Sequence, residues 1–247
     1  MTLSTFLLLV VAGMGAGVVG FLTGMASLVS FPAMLAAGLS PVAANVSQTI
    51  GLVGIGAGAA ARSTSTLLEG GRRDLLPQLG LSALGGLLGG GLLLAGGQGS
   101  FEAVVPWLVL VASVLVLLSP RLRAAQGGRT APRWVYLAGV LGMSTYGGYF
   151  GAGAGTIYLA VALLTSTETF ARSMILKSVL LAVTNLVASV LFALSGVVHW
   201  WAAVALGLGC VAGGHLGAAL QDHVPERTVR RAVAVAGIGL AWWLAHR

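Results

Sequence analysis

Lys177 is the one lysine in the chain, and it stands in an apolar run, SMILKSVLLAV, with no carboxylate close by in sequence. A buried ammonium needs an anion or oriented dipoles around it, so this residue points to anion binding. Ser178 follows it and Asn185 lies two helical turns further on. The first half carries a matching polar patch, Asn45, Ser47, Gln48 and Thr49, inside PVAANVSQTIGL. Hydroxyl and amide groups at such positions can hydrogen-bond an oxyanion. The third ingredient is glycine. YGGYFGAGAG, from Tyr146 to Gly155, contains Tyr149, Gly151 and Gly153 and cannot form a stable lipid-facing helix. Glycine lets backbone N–H and C=O groups approach a ligand closely, and irregular backbone inside a membrane is tolerated only beside protein or a wet cavity. The corresponding stretch in the first half is GVVGFLTGMASLVSFP, where Gly20, Gly24, Ser27 and Pro32 are the candidate turn or gating positions. Each feature has a plainer alternative. Small residues pack helices, Asn45 to Thr49 can bond helix to helix, and a lysine near a segment end can snorkel to the headgroups.

Other chemistry is excluded by what is missing. Glu69, Asp74, Glu102, Glu168, Asp222 and Glu226 all fall in breaks or at segment ends, which argues against a carboxylate proton relay. His215, in AGGHLGA, is the histidine well inside an apolar segment, and its unperturbed pKa near 6.5 makes it the candidate for proton coupling. Its alternative is a packing role. Four His and one Cys are scattered without metal-ligand spacing, so neither a metal nor a cofactor is expected. There is no phosphate-binding loop. Ser195 and His215 could be forced into a protease pair, but no nucleophile motif surrounds Ser195. An enzyme is not expected.

The elements that must hold these groups are membrane helices. Hydrophobic residues make up 57% of 247 and charged residues 8%, against about 25% charged in soluble domains. Mean hydropathy is +0.97. Apolar stretches run over 3–37, 42–61, 75–97, 103–119, 134–166, 174–195, 198–220 and 228–245. The charges fall in breaks at 62–74, 120–133 and 221–231. The net charge of +7 therefore reads as membrane topology, not nucleic-acid binding. Residues 3–22 have no preceding Lys or Arg and no clear cleavage site, so they read as a first membrane segment and not a signal peptide. All six Trp lie near segment ends, where their rings suit the headgroup layer.

Two stretches, 3–37 and 134–166, are too long for one plain crossing and share a pattern. When Gly13-Met14 is set on Gly142-Met143, Phe21 falls on Phe150, Gly24 on Gly153 and Gln48 on Lys177. This indicates an internal repeat of about 120–130 residues. If each long stretch is two segments turning at its glycines, only Arg247 of the 13 Lys and Arg residues falls opposite the others. That arrangement has ten segments, five per half, with the halves inverted and both termini outside. The expected organisation is an all-α polytopic bundle: residues 1–120 a first repeat, 121–133 a basic cytoplasmic linker and 134–247 a second repeat.

On these motifs the chain resembles the sulfite exporter TauE/SafE-like permeases. The resemblance is carried by YGGYFGAGAG, LKS at 176–178, FALSGVVHW at 192–200, AGGHLGA at 212–218, GLSPVAANVSQTIGL at 38–52 and GRRDL at 71–75. It departs at Gly24-Met25-Ala26-Ser27, where the family shows Gly-X-Gly-Gly, and at Ser178, His199 and His215, where Asn, Asp and Tyr are common. The resemblance implies a transporter of small sulfur oxyanions, sulfonates or related organic acids in the bacterial inner membrane. An anion channel and a non-transporting scaffold are the alternatives. The substrate, the coupling ion (proton or Na⁺) and a homodimer stay open.

Overall fold

The computed structural model describes residues 2–68, 72–124, 132–166, 169–220 and 226–246. Helices α1 (Leu3–Thr23), α2 (Ser27–Ala36), α3 (Pro41–Leu68) and α4 (Arg72–Ala124) make the first half. Helices α5 (Arg133–Tyr149), α6 (Ala154–Thr165), α7 (Phe170–Leu194), α8 (Trp200–Leu220) and α9 (Glu226–Ala245) make the second. Gly97 (φ 69, ψ −178) interrupts α4, so the described residues form ten helical segments and no strand. Among the described residues, five spans are long and apolar enough to cross a membrane: Leu3–Thr23, Pro41–Ala61, Asp74–Gly97, Arg172–Leu194 and Trp200–Leu220. The exposed side chains include all six Trp and many Leu and Val, as a lipid-facing surface requires.

Both long glycine-rich stretches fold into helical hairpins. In the first, α1 ends at Gly24 (φ 81), whose N–H bonds Gly20 O, and α2 starts three residues later. A β-carbon built on Gly15 would stand 3.8 Å from the Val29 side chain, so α2 runs back along α1. In the second, Gly151 and Gly153 take φ of 76 and 75 between α5 and α6. Tyr136 and Tyr158 meet across this hairpin with hydroxyls 2.9 Å apart. At 10 and 12 residues, α2 and α6 reach only about 15 and 18 Å, half a ~30 Å hydrocarbon layer. The break residues therefore lie within the bundle.

Glycine also sets how closely the long helices approach. Gly13 and Gly17 of α1 lie on Leu206, Gly209 and Gly213 of α8, and Gly51, Gly54 and Gly58 of α3 lie on successive turns of the same α8. Numbers rise together along both pairs, so α1, α3 and α8 run parallel. The first limb of α4 does the same with α5 and α7. Gly85 and Gly89 lie on Ser144 and Thr145, and Gly86 and Gly90 on Thr184 and Ala188. Without a hydrophobic drive between helices in lipid, such close backbone contact supplies the association.

Three expectations need correction. The break at 62–74 is narrower, because α3 continues through Leu68 and α4 begins at Arg72. Residues 121–124 still belong to α4, so the 121–133 linker is shorter than read, and 125–131 lie outside the described residues. Lys177 lies inside α7 and is fully buried, so it does not belong in a tally of loop charges. Glu69, Glu168 and Asp222 fall outside the described residues.

Candidate functional site

The two hairpin tips touch. A β-carbon built on Gly24 would come within 2.5 Å of the Gly155 carbonyl carbon, and one on Gly155 within 2.5 Å of the Gly24 α-carbon. Thr156 Oγ1 donates to Thr23 O across the same contact at 2.8 Å. Each half also grips the last turn before the other half's break. From α3, Asn45 Nδ2 donates to Tyr149 O at 2.9 Å. From α7, Lys177 Nζ donates to Phe21 O. These carbonyls sit at the C-terminal ends of α5 and α1, where helix carbonyls lack intrahelical partners and the dipole is negative. An ammonium is stabilised there.

The two grips differ in charge. Gln48, which the repeat aligns with Lys177, takes part in a neutral chain. Ser30 Oγ donates to Gln48 Oε1 at 2.6 Å, and Gln48 Nε2 donates to Asn45 Oδ1 at 3.2 Å. Ser30, Gln48 and Asn45 are fully buried, so the chain ties α2, α3 and the end of α5 together without a net charge. Lys177 is equally buried, with Met174 Sδ at 3.6 Å and the Phe21 ring centroid at 5.6 Å. Burial excludes headgroup snorkelling.

A cavity of about 40 Å³ lies at the junction, room for roughly three water-sized groups. Gly20 of α1, Gly24 and Ala26 of the first turn and Ser27 of α2 form one side. Thr49, Leu52 and Ile55 of α3 form another. Phe150 and Gly151 come from the second turn, and Lys177, Ser178, Leu181, Ala182 and Asn185 from α7. Of the residues expected from sequence, this brings together Gly20, Gly24, Ser27, Thr49, Gly151, Lys177, Ser178 and Asn185. The remainder sit elsewhere. Asn45 and Gln48 stand behind the wall in the chain just described. Ser47 Oγ accepts from His199 N at 2.9 Å, tying α3 to the start of α8. Tyr146 Oη donates to Ala152 O at 2.7 Å and braces the second turn. Tyr149 packs its ring on Phe101 with centroids 5.9 Å apart. Gly153 lies against Ala112, Gly155 against Gly24, and Pro32 is half-buried within α2. His215 is on the exposed face of α8 and does not line the cavity. Ser195 caps α7 through Phe192 O, and His215 lies more than four helical turns further along the chain.

Sequence reasoning missed the apolar wall and two bonding partners, Ser30 and Thr156. Helical spacing held the wall's signal. Leu52 and Ile55 follow Gln48 by four and seven residues, and Leu181 and Asn185 follow Lys177 by four and eight. Ser30 and Thr156 carried no such signal, because their partners are distant in sequence.

Replacing Asn45 by Leu is expected to cost about 1–3 kcal/mol of stability, since Tyr149 O and Gln48 Nε2 both lose a buried partner. Thermal unfolding in detergent reads this directly; an unshifted midpoint would mean that the hairpins do not depend on the chain.

Known proteins bear on this geometry. The family model described as "Sulfite exporter TauE/SafE" matches residues 9–244. A "Probable membrane transporter protein ORF9" of Sinorhizobium sp is 26% identical over 238 residues, covering 94% of this chain and 89% of its own length. No solved structure matches the chain.

Proposed function

The chain belongs to the sulfite exporter TauE/SafE family and is a multi-pass membrane transport protein, and from that premise we propose that it is a secondary transporter, an exporter in the bacterial inner membrane, of a small organic or sulfur-containing anion. The observation that carries this reading is Lys177, fully buried and lining a small cavity at the contact of two broken hairpins. The N-terminal end of α2 adds to it, because Ala26 and Ser27 stand on the cavity wall and a helix N-terminus attracts negative charge. Ser178, Thr49 and Asn185 supply polar atoms around the same space.

Alternating access would come from one half rocking against the other about the hairpin contact. The reciprocal grips and the matched parallel packing of α1 on α8 and α5 on α4 support two inverted halves. No carboxylate or histidine lines the cavity among the described residues, so those lining residues offer no carboxylate or imidazole for a proton relay.

Purified protein in proteoliposomes tests the reading. With an imposed pH or sodium gradient, labelled sulfite or a short sulfonate is expected to accumulate above its external concentration. Flux that only runs downhill would make the protein a channel, and no flux with any anion would leave the scaffold reading.

A further inference from the structure

We infer that the cavity selects its anion by net charge, accepting singly charged anions and rejecting doubly charged ones. This rests on the anion reading above and adds a rule that the reading does not contain. Three observations lead to it. First, among the described lining residues Lys177 is the only ionisable group. Arg172, buried at the start of the same helix, does not line the cavity. Among the described side chains on helices packed against α7, the other ionisable groups do not line the cavity either: Tyr136 bonds Tyr158 and Gln78, Tyr146 bonds Ala152 O, Tyr149 packs on Phe101, Glu102 is exposed, and Asp74 pairs with Arg133 at an exposed position. One ammonium neutralises one negative charge, and the α2 N-terminus adds only a partial positive charge, so a second full charge would be desolvated without full compensation.

Second, much of the wall is apolar: Leu52, Ile55, Phe150, Leu181 and Ala182. Such surface suits the uncharged side of a small anion and not a further oxyanion charge. Third, of the three hydroxyls on the wall (Ser27, Thr49 and Ser178), those of Thr49 and Ser178 have already used their protons. Thr49 Oγ1 donates to Asn45 O at 2.7 Å and Ser178 Oγ donates to Met174 O at 3.2 Å. A hydroxyl has one proton and two lone pairs, so these oxygens offer lone pairs to the cavity. A fully deprotonated dianion meets them as like dipoles. A protonated oxyanion can donate its own O–H to either one, and an alkyl-bearing monoanion can turn its uncharged side towards them.

The consequence is that the substrate itself can carry the proton. For an oxyanion that titrates near neutrality, binding would follow the protonated fraction of the ligand, with no protein group titrating in that range.

Purified full-length protein is tested by thermal shift and calorimetry with three probes: methanesulfonate, fixed at one charge; sulfate, fixed at two; and sulfite at pH 6 and pH 8. Methanesulfonate is expected to bind equally at both pH values, sulfate at least tenfold more weakly, and sulfite at least several-fold more tightly at pH 6 than at pH 8. Sulfate binding within threefold of methanesulfonate, or sulfite affinity that does not change with pH, overturns charge selection and leaves the anion site standing. If no anion binds wild-type protein at either pH, the anion site itself is wrong and the selection rule goes with it. A Thr49→Val variant, which removes an acceptor without touching charge, is expected to weaken sulfite at pH 6 more than methanesulfonate. Equal weakening of both overturns the acceptor argument.

Discussion

Lys177→Gln is expected to weaken anion binding by tenfold or more while leaving the folded protein about as stable as the wild type. A hydrogen bond to a charged group contributes about 1.5–3 kcal/mol, and about 1.4 kcal/mol is tenfold in affinity. The ammonium is the only charge on the cavity wall among the described residues, so nothing else there replaces it. Stability behaves differently. Burying a lysine carries a desolvation penalty that a neutral side chain avoids, and replacing a buried charge often leaves stability unchanged or raises it. Gln also retains a donor that can serve Phe21 O, which Lys177 now bonds. Lys177→Arg is no safe substitute, because a planar guanidinium is larger and the cavity is about 40 Å³. The measurement pairs an anion titration with a thermal midpoint in the absence of anion. Binding within twofold of wild type in the Gln variant would sink the assignment. A large loss of stability with intact binding would make Lys177 a structural clasp.

Sequence reading picked out much of the candidate site through residue types that membranes disfavour. Lys177, Asn45, Gln48 and the glycines of Tyr146–Gly155 stand out because each is costly or destabilising in lipid unless something specific surrounds it. Setting Gln48 on Lys177 drew attention to the right turn of each helix, but the halves hold each other through Asn45 and Lys177, which that register does not pair. The ten segments were legible because apolar length, glycine breaks and charge placement mark where one helical segment ends and the next begins.

What was not legible depends on direction. A polar residue in an apolar helix has three or four faces to choose from, and composition does not say which neighbour it meets. Ser47 sits between Val46 and Gln48, yet it turns to the backbone of His199 and away from the cavity. His215 has the chemistry for proton coupling, but α8 presents Gly213, Gly214 and Gly217 to its neighbours and leaves His215 on the outer face. The dense glycines around it were the available clue, because the small side of a packed membrane helix is the side that meets another helix.

Gly24→Ala and Gly155→Ala are each expected to cost well over 2 kcal/mol and to abolish transport. Two effects add at Gly24. Its φ of 81 lies in the left-handed region, where a side chain costs about 1–2 kcal/mol. Its new β-carbon would also stand 2.5 Å from the Gly155 backbone, which cannot move aside like the end of a flexible side chain. At Gly155 the φ penalty is absent, but a β-carbon meets the Gly24 α-carbon at 2.5 Å and Lys177 Cδ at 2.9 Å. That substitution should therefore damage anion binding as well as folding. Gly38 separates the two effects, since its φ is 89 and nothing lies within 4 Å of a built β-carbon. Gly38→Ala should cost only the backbone term. Gly80→Ala, in a helix with the same open space, should be neutral or slightly stabilising. The double variant Gly24→Ala/Gly155→Ala decides whether the tips truly touch. Residues in contact are non-additive, and once one β-carbon has forced the hairpins apart the second finds room. The double variant should thus lose clearly less than the sum of the single losses, read from thermal midpoints in one detergent. Strict additivity would place the two glycines out of contact and remove the shared hinge that the proposed rocking of the halves requires.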